Sequence, residues 1–130
     1  MVMTTVGDIV DGQELARLPS DSTIREAARY MVEQRVGSVL VMEGESLRGI
    51  FTERDALAIF VATRRNPDHT RLNDVMTAAP RTLSAEATLL EAAQTMTAGA
   101  FRHLPVVDGE GRVLGVVSQR DLIALGVERA

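Results

Sequence analysis

The stretch GIFTERD, Gly49 to Asp55, returns 66 residues later as GVVSQRD, Gly115 to Asp121. Each copy runs glycine, two apolar residues, a hydroxyl, one variable position, arginine and aspartate. The chain around the two copies is duplicated as well. TIREAARYM at 23–31 matches TLLEAAQTM at 88–96, SVLVMEG at 38–44 matches HLPVVDG at 103–109, and VGDIV at 6–10 matches LNDVM at 72–76. The offset stays at 65 or 66, shifting by one residue only in two loops. Four blocks in one order at one spacing mark an internal repeat. Two copies are too few for a solenoid, so the sequence predicts a paired domain with pseudo-two-fold symmetry.

Within each repeat the pattern reads strand, helix, strand, strand, helix, an α+β fold of two tandem β-α-β-β-α units. The first strand is placed from Thr5 in repeat 1. Thr23 with Glu26, and Thr88 with Glu91, have capping-box spacing and start the first helices. Ile24, Ala27, Ala28, Met31 and Val32 then form an apolar stripe, which Leu89, Ala92, Ala93 and Met96 repeat. The runs Val36–Met42 and Phe101–Val107, each followed by turn residues and a second run (Leu47–Thr52, Val113–Ser118), read as hairpins. The polar segment from 64 to 71, with Pro67, joins the halves. The expected division is therefore repeat 1 at 1–63, linker at 64–71 and repeat 2 at 72–130.

Composition narrows the function classes. A chain of 130 residues can bury about two-thirds of its unfolded surface without disulfide or metal. Net charge is -4, which gives no general attraction to phosphate backbones or anionic membranes. Tyr30, Phe51, Phe60 and Phe101 are the only aromatics, too few for a base-stacking platform, so no nucleic-acid partner is expected. With no cysteine, thiol catalysis and thiolate metal sites are excluded. All fourteen basic residues are arginine, which removes Walker-type lysines and Schiff-base chemistry. The start MVMTTVGDIVDG has no signal-peptide pattern, and the longest apolar run, ALAIFVA at 56–62, is too short to span a bilayer. The expectation is a soluble cytoplasmic protein without a membrane partner.

The second helices, 55–63 and 121–127, are apolar almost all round. A helix of that kind needs cover on more than one face, either from the other repeat or from a second copy in a homodimer.

The repeated hydroxyl and carboxylate sit where a strand becomes a helix. Hydroxyl, two residues, acid, apolar run is a capping pattern, and a cap contributes about 1 kcal/mol. Three features point further. The first helices use glutamate, whereas both second helices carry the shorter aspartate, which reaches back to its cap less easily. A strand-to-helix junction offers unpaired amides to phosphate. Arg54 and Arg120 add a permanent cation, and an aspartate there can accept ribose hydroxyls. Capping and binding are compatible at one junction.

The repeated unit resembles the CBS domain, the regulatory module first recognised in cystathionine beta-synthase, and the chain resembles a tandem CBS pair from Val6 to Leu125. FRHLPVVD at 101–108 followed by GVVSQRD carries the resemblance most specifically. It implies a non-catalytic regulatory module that binds AMP, ADP, ATP or another adenosine compound in two clefts between the repeats. By that resemblance one cleft uses Ser118, Arg120 and Asp121, with Arg102 and His103 at the phosphate and Val36, Gly37, Ser38 and Val39 at the base. Thr5 adds a hydroxyl there. The second cleft uses Thr52, Arg54 and Asp55 against Phe101 and Leu104. At the positions of Arg102 and His103 the first repeat has Gly37 and Ser38, and Leu40 replaces the family's proline, present here as Pro105. Unequal sites follow, the Ser118/Asp121 cleft being the tighter.

Other functions are weaker fits. His69 and His103 have no metal-ligand spacing, and DGEGR precedes a strand, so it is no dinucleotide loop. No catalytic constellation can be assembled, and no enzyme, catalytic cofactor or metal is expected. The alternative to nucleotide sensing is a dimeric interaction scaffold with degenerate clefts, and a nucleotide-processing enzyme is the third reading; an unidentified protein target goes with the sensing module.

Overall fold

The computed structural model describes residues 4–127; residues 1–3 and 128–130, the outer ends of the two repeats drawn above, lie outside them. In chain order the elements are α1 (Val6–Val10), β1 (Arg17–Leu18), α2 (Ile24–Gln34), β2 (Ser38–Glu43), β3 (Ser46–Thr52) and α3 (Glu53–Ala62). They continue as α4 (Leu72–Val75), β4 (Thr77–Ala78), β5 (Leu83–Ser84), α5 (Leu89–Gly99), β6 (His103–Val107), β7 (Val113–Ser118) and α6 (Gln119–Ala124). The order β-α-β-β-α holds in both repeats, as β1-α2-β2-β3-α3 and β5-α5-β6-β7-α6. None of the helices is long and apolar enough to cross a membrane among the described residues.

The leading strand is not where the sequence placed it. Thr5 starts no strand: it caps α1, its hydroxyl accepting from the Asp8 amide while its own amide donates to the Asp8 carboxylate. Its extended contact is an isolated bridge to Thr88. The short strand of repeat 1 is Arg17–Leu18 instead, parallel to β2. Helix α6 also stops before 127, because Gly126 takes a left-handed φ of 82° that an α-helix cannot continue through.

Two compact units result. One is Ala16–Pro80; the other joins the segment ending at Leu15 to the chain from Arg81 onward. These spatial units are cut differently from the sequence repeats, because each repeat gives its leading helix to the other's core. In the second unit Val6 and Val10 of α1 are buried with Leu83, Ala92, Met96, Leu104, Val106, Val117 and Leu122. The amides of Val6 and Gly7 donate to the carbonyls of Ala87 and Ala85, both at 2.9 Å. In the first unit Leu72 of α4 is buried with Ile24, Ala27, Met31, Val39, Val41, Phe51, Ala56 and Ile59. There the amides of Leu72 and Asn73 donate to Ser22 and Ser20, at 2.8 and 3.0 Å. The docking is the same at the 65- to 66-residue offset.

The first unit carries a four-stranded sheet in the order β1-β2-β3-β4, the second a three-stranded sheet in the order β5-β6-β7. Both central hairpins are antiparallel and shift register at matching places, Val41/Met42 and Val106/Val107. The glycine that opens each repeated motif is a close-approach residue. A Cβ on Gly49 would lie 2.5 Å from the Met76 sulfur and 2.8 Å from the Thr77 carbonyl oxygen, where β4 pairs along β3. A Cβ on Gly115 would lie 2.7 Å from Val10 Cβ and from Gln13 Oε1. In the second unit the Gln13 side chain takes the place of a fourth strand: its amide donates to the Val116 carbonyl, and its oxygen accepts from the Val116 amide at 2.7 Å.

The first helices begin as their spacing predicts. Thr23 and Glu26 close a capping box, as do Thr88 and Glu91. The backbone amide of Thr23, then its hydroxyl, holds the Glu26 carboxyl below its ordinary range by donating to the charged form. Gly49→Ala should destabilise the protein by about 1–3 kcal/mol, since the Thr77 backbone must move. Gly109→Ala, where a Cβ meets nothing within 4 Å, should stay within about 0.5 kcal/mol of the parent. Urea unfolding of both variants checks this, and equal midpoints would remove close approach as the reason for the motif glycine.

Candidate functional site

Each repeated motif ends at a residue with two structural duties. Thr52 is the last rung of the β2–β3 ladder, opposite Ser38, and the N-cap of α3. Its hydroxyl accepts from the Asp55 amide at 3.1 Å, and its amide donates to Asp55 Oδ2 at 3.0 Å. Ser118 stands opposite His103 and caps α6 in the same way, with bonds of 3.0 and 2.8 Å to Asp121. The shorter acid therefore does reach its own cap, contrary to the expectation from its length. The strand enters the helix without an intervening loop, so a one-residue junction already brings the acid within range of the cap amide.

The junctions also offer fewer free amides than expected. The Glu53 amide donates to the Gly37 carbonyl at 3.0 Å, and the Gln119 amide to the Arg102 carbonyl at 2.8 Å. Those bonds tie the start of each second helix to the turn that follows the first helix. That turn is sharp. Arg35 and Ala100, both at φ 56°, end α2 and α5 in the left-handed region, and the next amides, of Val36 and Phe101, reach back to Met31 and Met96 at 3.0 and 2.9 Å. Neither residue is the glycine or asparagine that usually marks such a cap, so the sequence carries no signal for this reversal. Left-handed non-glycine residues cost free energy and tend to persist where function fixes them.

The expected site residues thus collect into one cluster per unit. The first unit brings Thr52, Arg54 and Asp55 beside Val36, Gly37, Ser38 and Val39. The second brings Ser118, Arg120 and Asp121 beside Phe101, Arg102, His103 and Leu104, with Thr5 in the same unit through its bridge to Thr88. The side chains divide by burial. Val39 and Leu104 belong to the two cores, at 0% and 1% exposure, so a ligand can meet only their backbone. Phe101 is half-buried against its own core, its ring lying over Gly99. Ser38 is buried, whereas Thr52, Asp55, Ser118, Asp121 and His103 are half-buried.

Arg54, Arg102 and Arg120 are exposed, and none of their guanidiniums has an ion-pair or hydrogen-bond partner among the described residues. Arg25, by contrast, pairs with Asp68, whose carboxyl it holds below the ordinary range. One cluster therefore presents two unpaired guanidiniums, Arg102 and Arg120, and the other presents Arg54. Such groups can take phosphate in bidentate fashion. No group of three or more acidic or histidine side chains is placed to hold a metal ion among the described residues.

Comparison with known proteins fits this duplicated arrangement. The family model of the CBS domain matches residues 6–62 and again 72–128. The CBS domain-containing protein CBSX3, mitochondrial, of Arabidopsis thaliana is 34% identical over 127 residues, covering 94% of this chain and 61% of that protein. Among solved structures, a protein with CBS domains from Burkholderia ambifaria superposes with a TM-score of 0.88 and 32% identity, over 95% of this chain and 94% of that one. The CBS domain protein PAE2072 from Pyrobaculum aerophilum, complexed with AMP, gives 0.81 and 28%, over 90% and 88%. The chain spans 20% to 63% of the length of the first curated relatives it matches.

Thr52→Ala and Ser118→Ala each remove the cap acceptor and should each cost about 1 kcal/mol of unfolding free energy. Urea midpoints unchanged in both would mean that neither box contributes to holding its junction.

Proposed function

Because this chain belongs to the CBS-domain family and carries two CBS domains, we propose that it is a non-catalytic regulatory module that binds an adenosine nucleotide, AMP, ADP or ATP, and signals through dimer or partner contacts. The observation that carries this is the pairing of hydroxyl–carboxylate boxes with guanidiniums that have no partner among the described residues. An exposed arginine needs no ion pair, but two beside a half-buried serine and aspartate make a receptor for a sugar bearing phosphate. The AMP complex of the Pyrobaculum aerophilum relative supports the same ligand class.

In the tighter site Ser118, Arg120, Arg102 and His103 take the phosphate and Asp121 the ribose. Thr5 adds a hydroxyl. The second site uses Thr52, Arg54 and Asp55. It is weaker because Gly37 and Ser38 stand where the other repeat has Arg102 and His103.

The output is proposed to be a homodimer formed through the second helices. Leu57, Phe60 and Val61 expose 63%, 44% and 76% of their surface on α3, and Ile123 and Leu125 expose 57% and 54% at α6. Leu57, Phe60 and Val61 are spaced i, i+3, i+4, one face of a helix. Those faces also favour the second reading, a dimeric scaffold for an unidentified protein in which the clefts are degenerate. A cytoplasmic location goes with either reading, although the CBSX3 relative is named mitochondrial.

Binding regulates only if the ligand prefers one state over another. Asp121→Ala should weaken AMP binding roughly 10- to 150-fold, the loss of hydrogen bonds involving a charged group. Asp55→Ala should leave the tighter site intact. Calorimetric titration with AMP checks both, and unchanged affinity in Asp121→Ala would return that residue to capping alone.

A further inference from the structure

The chain closes five capping boxes, and they differ in what becomes of the hydroxyl proton. In the two glutamate boxes the hydroxyl donates to the acid that it helps to place. Thr23 Oγ1 lies 3.0 Å from Glu26 Oε1, and Thr88 Oγ1 lies 3.1 Å from Glu91 Oε1; the same oxygen also accepts the cap amide. In the three aspartate boxes, Thr5–Asp8, Thr52–Asp55 and Ser118–Asp121, the acid takes the cap amide alone. The hydroxyl accepts from the third amide of the helix, and among the described residues its own proton has no acceptor.

Geometry gives the reason. Glutamate has one more methylene, which carries a carboxylate oxygen to a point that both the cap amide and the cap hydroxyl can reach. Aspartate stops short and meets the amide only. A hydroxyl has a single proton to give. Once it is spent on glutamate, the group meets an incoming anion with lone pairs, which repel it.

We infer that the length of the acid decides whether a box is a cap alone or a cap that also binds: Asp55 and Asp121 hold the Thr52 and Ser118 hydroxyls free to donate to the phosphoryl oxygens of a nucleotide. This rests on the nucleotide-binding reading above and adds to it a positioning role distinct from any contact of the aspartates with ribose. The boxes sort accordingly. Thr52 and Ser118 end in aspartate and stand beside arginines whose side chains have no partner among the described residues, while Thr23 and Thr88, which end in glutamate, start helices and bridge to Arg71 and Thr5.

Asp121→Glu tests the inference. The protein already accepts glutamate boxes at Thr23 and Thr88, so the variant should melt no lower than the parent. Binding of AMP and of adenosine is measured by calorimetry on the full chain. A weakened ribose contact lowers both affinities alike and cancels in their ratio, whereas a captured hydroxyl lowers AMP alone. The preference for AMP over adenosine should fall about tenfold or more. Ser118→Ala should reduce it similarly, and the double variant should show no further fall. A preference unchanged in Asp121→Glu but reduced in Ser118→Ala would overturn the inference and leave the functional reading standing. A parent chain that binds neither compound would overturn that reading, and this inference with it.

Discussion

Thr52 and Ser118 each end a strand and begin a helix, and most of what is distinctive in this protein depends on that coincidence. A residue that is both the last ladder rung and the N-cap must have extended backbone, a side-chain oxygen aimed at the third helical amide, and an acid three positions on. Those demands fix where the second helix leaves the sheet. They also fix what lies beside it, because the first helical amide is tied to the carbonyl of Gly37 or Arg102. The turn after the first helix is thereby held against the start of the second. A hydroxyl, a carboxylate and arginines are gathered at one place by backbone bonds rather than by long-range side-chain contacts.

The cores explain why two repeats travel together. Leu72 belongs to the core around Phe51, and Val6 and Val10 to the core around Leu104. A single repeat would keep its hairpin and both its longer helices yet lack the short helix that closes its core. Burial of those side chains is a shared source of stability, since each fully buried aliphatic side chain contributes about 1.5–3 kcal/mol. Motif glycines serve the same arrangement: Gly49 admits Thr77, and Gly115 admits Val10 and Gln13. The chain meets one edge requirement in two ways, with a short strand in one unit and a glutamine side chain in the other.

Much of this could be read from the residues because it is local. Thr-x-x-Glu spacing and the 3.6-residue stripe identify α2 and α5, and alternating apolar runs around glycine turns identify both hairpins. What escaped reading is short or non-local. VGDIV has too few residues to show a period, and only the Thr5–Asp8 spacing hinted at a capped helix. Two-residue strands such as Arg17–Leu18 have no pattern at all. The exchange of α1 and α4 depends on contacts distant along the chain, such as those of Leu72 with Ser22 and of Val6 with Ala87, about which local propensity is silent. For the site, residue types and spacing located both polar clusters. Burial did not follow from them: the side chains of Leu104 and Val39, which the resemblance set at the base, lie in the cores, and the reversals at Arg35 and Ala100 lack the usual glycine.

The central claim is that the residues capping the second helices are also the ones that receive a nucleotide, unequally in the two halves. Backbone amide NMR during titration with AMP reports on every such residue at once. The account predicts saturable shifts at Arg102, His103 and Gln119 through Asp121 at lower AMP than at Glu53 through Asp55. Shifts absent from all of these amides at millimolar AMP, in a protein that remains folded, would contradict it.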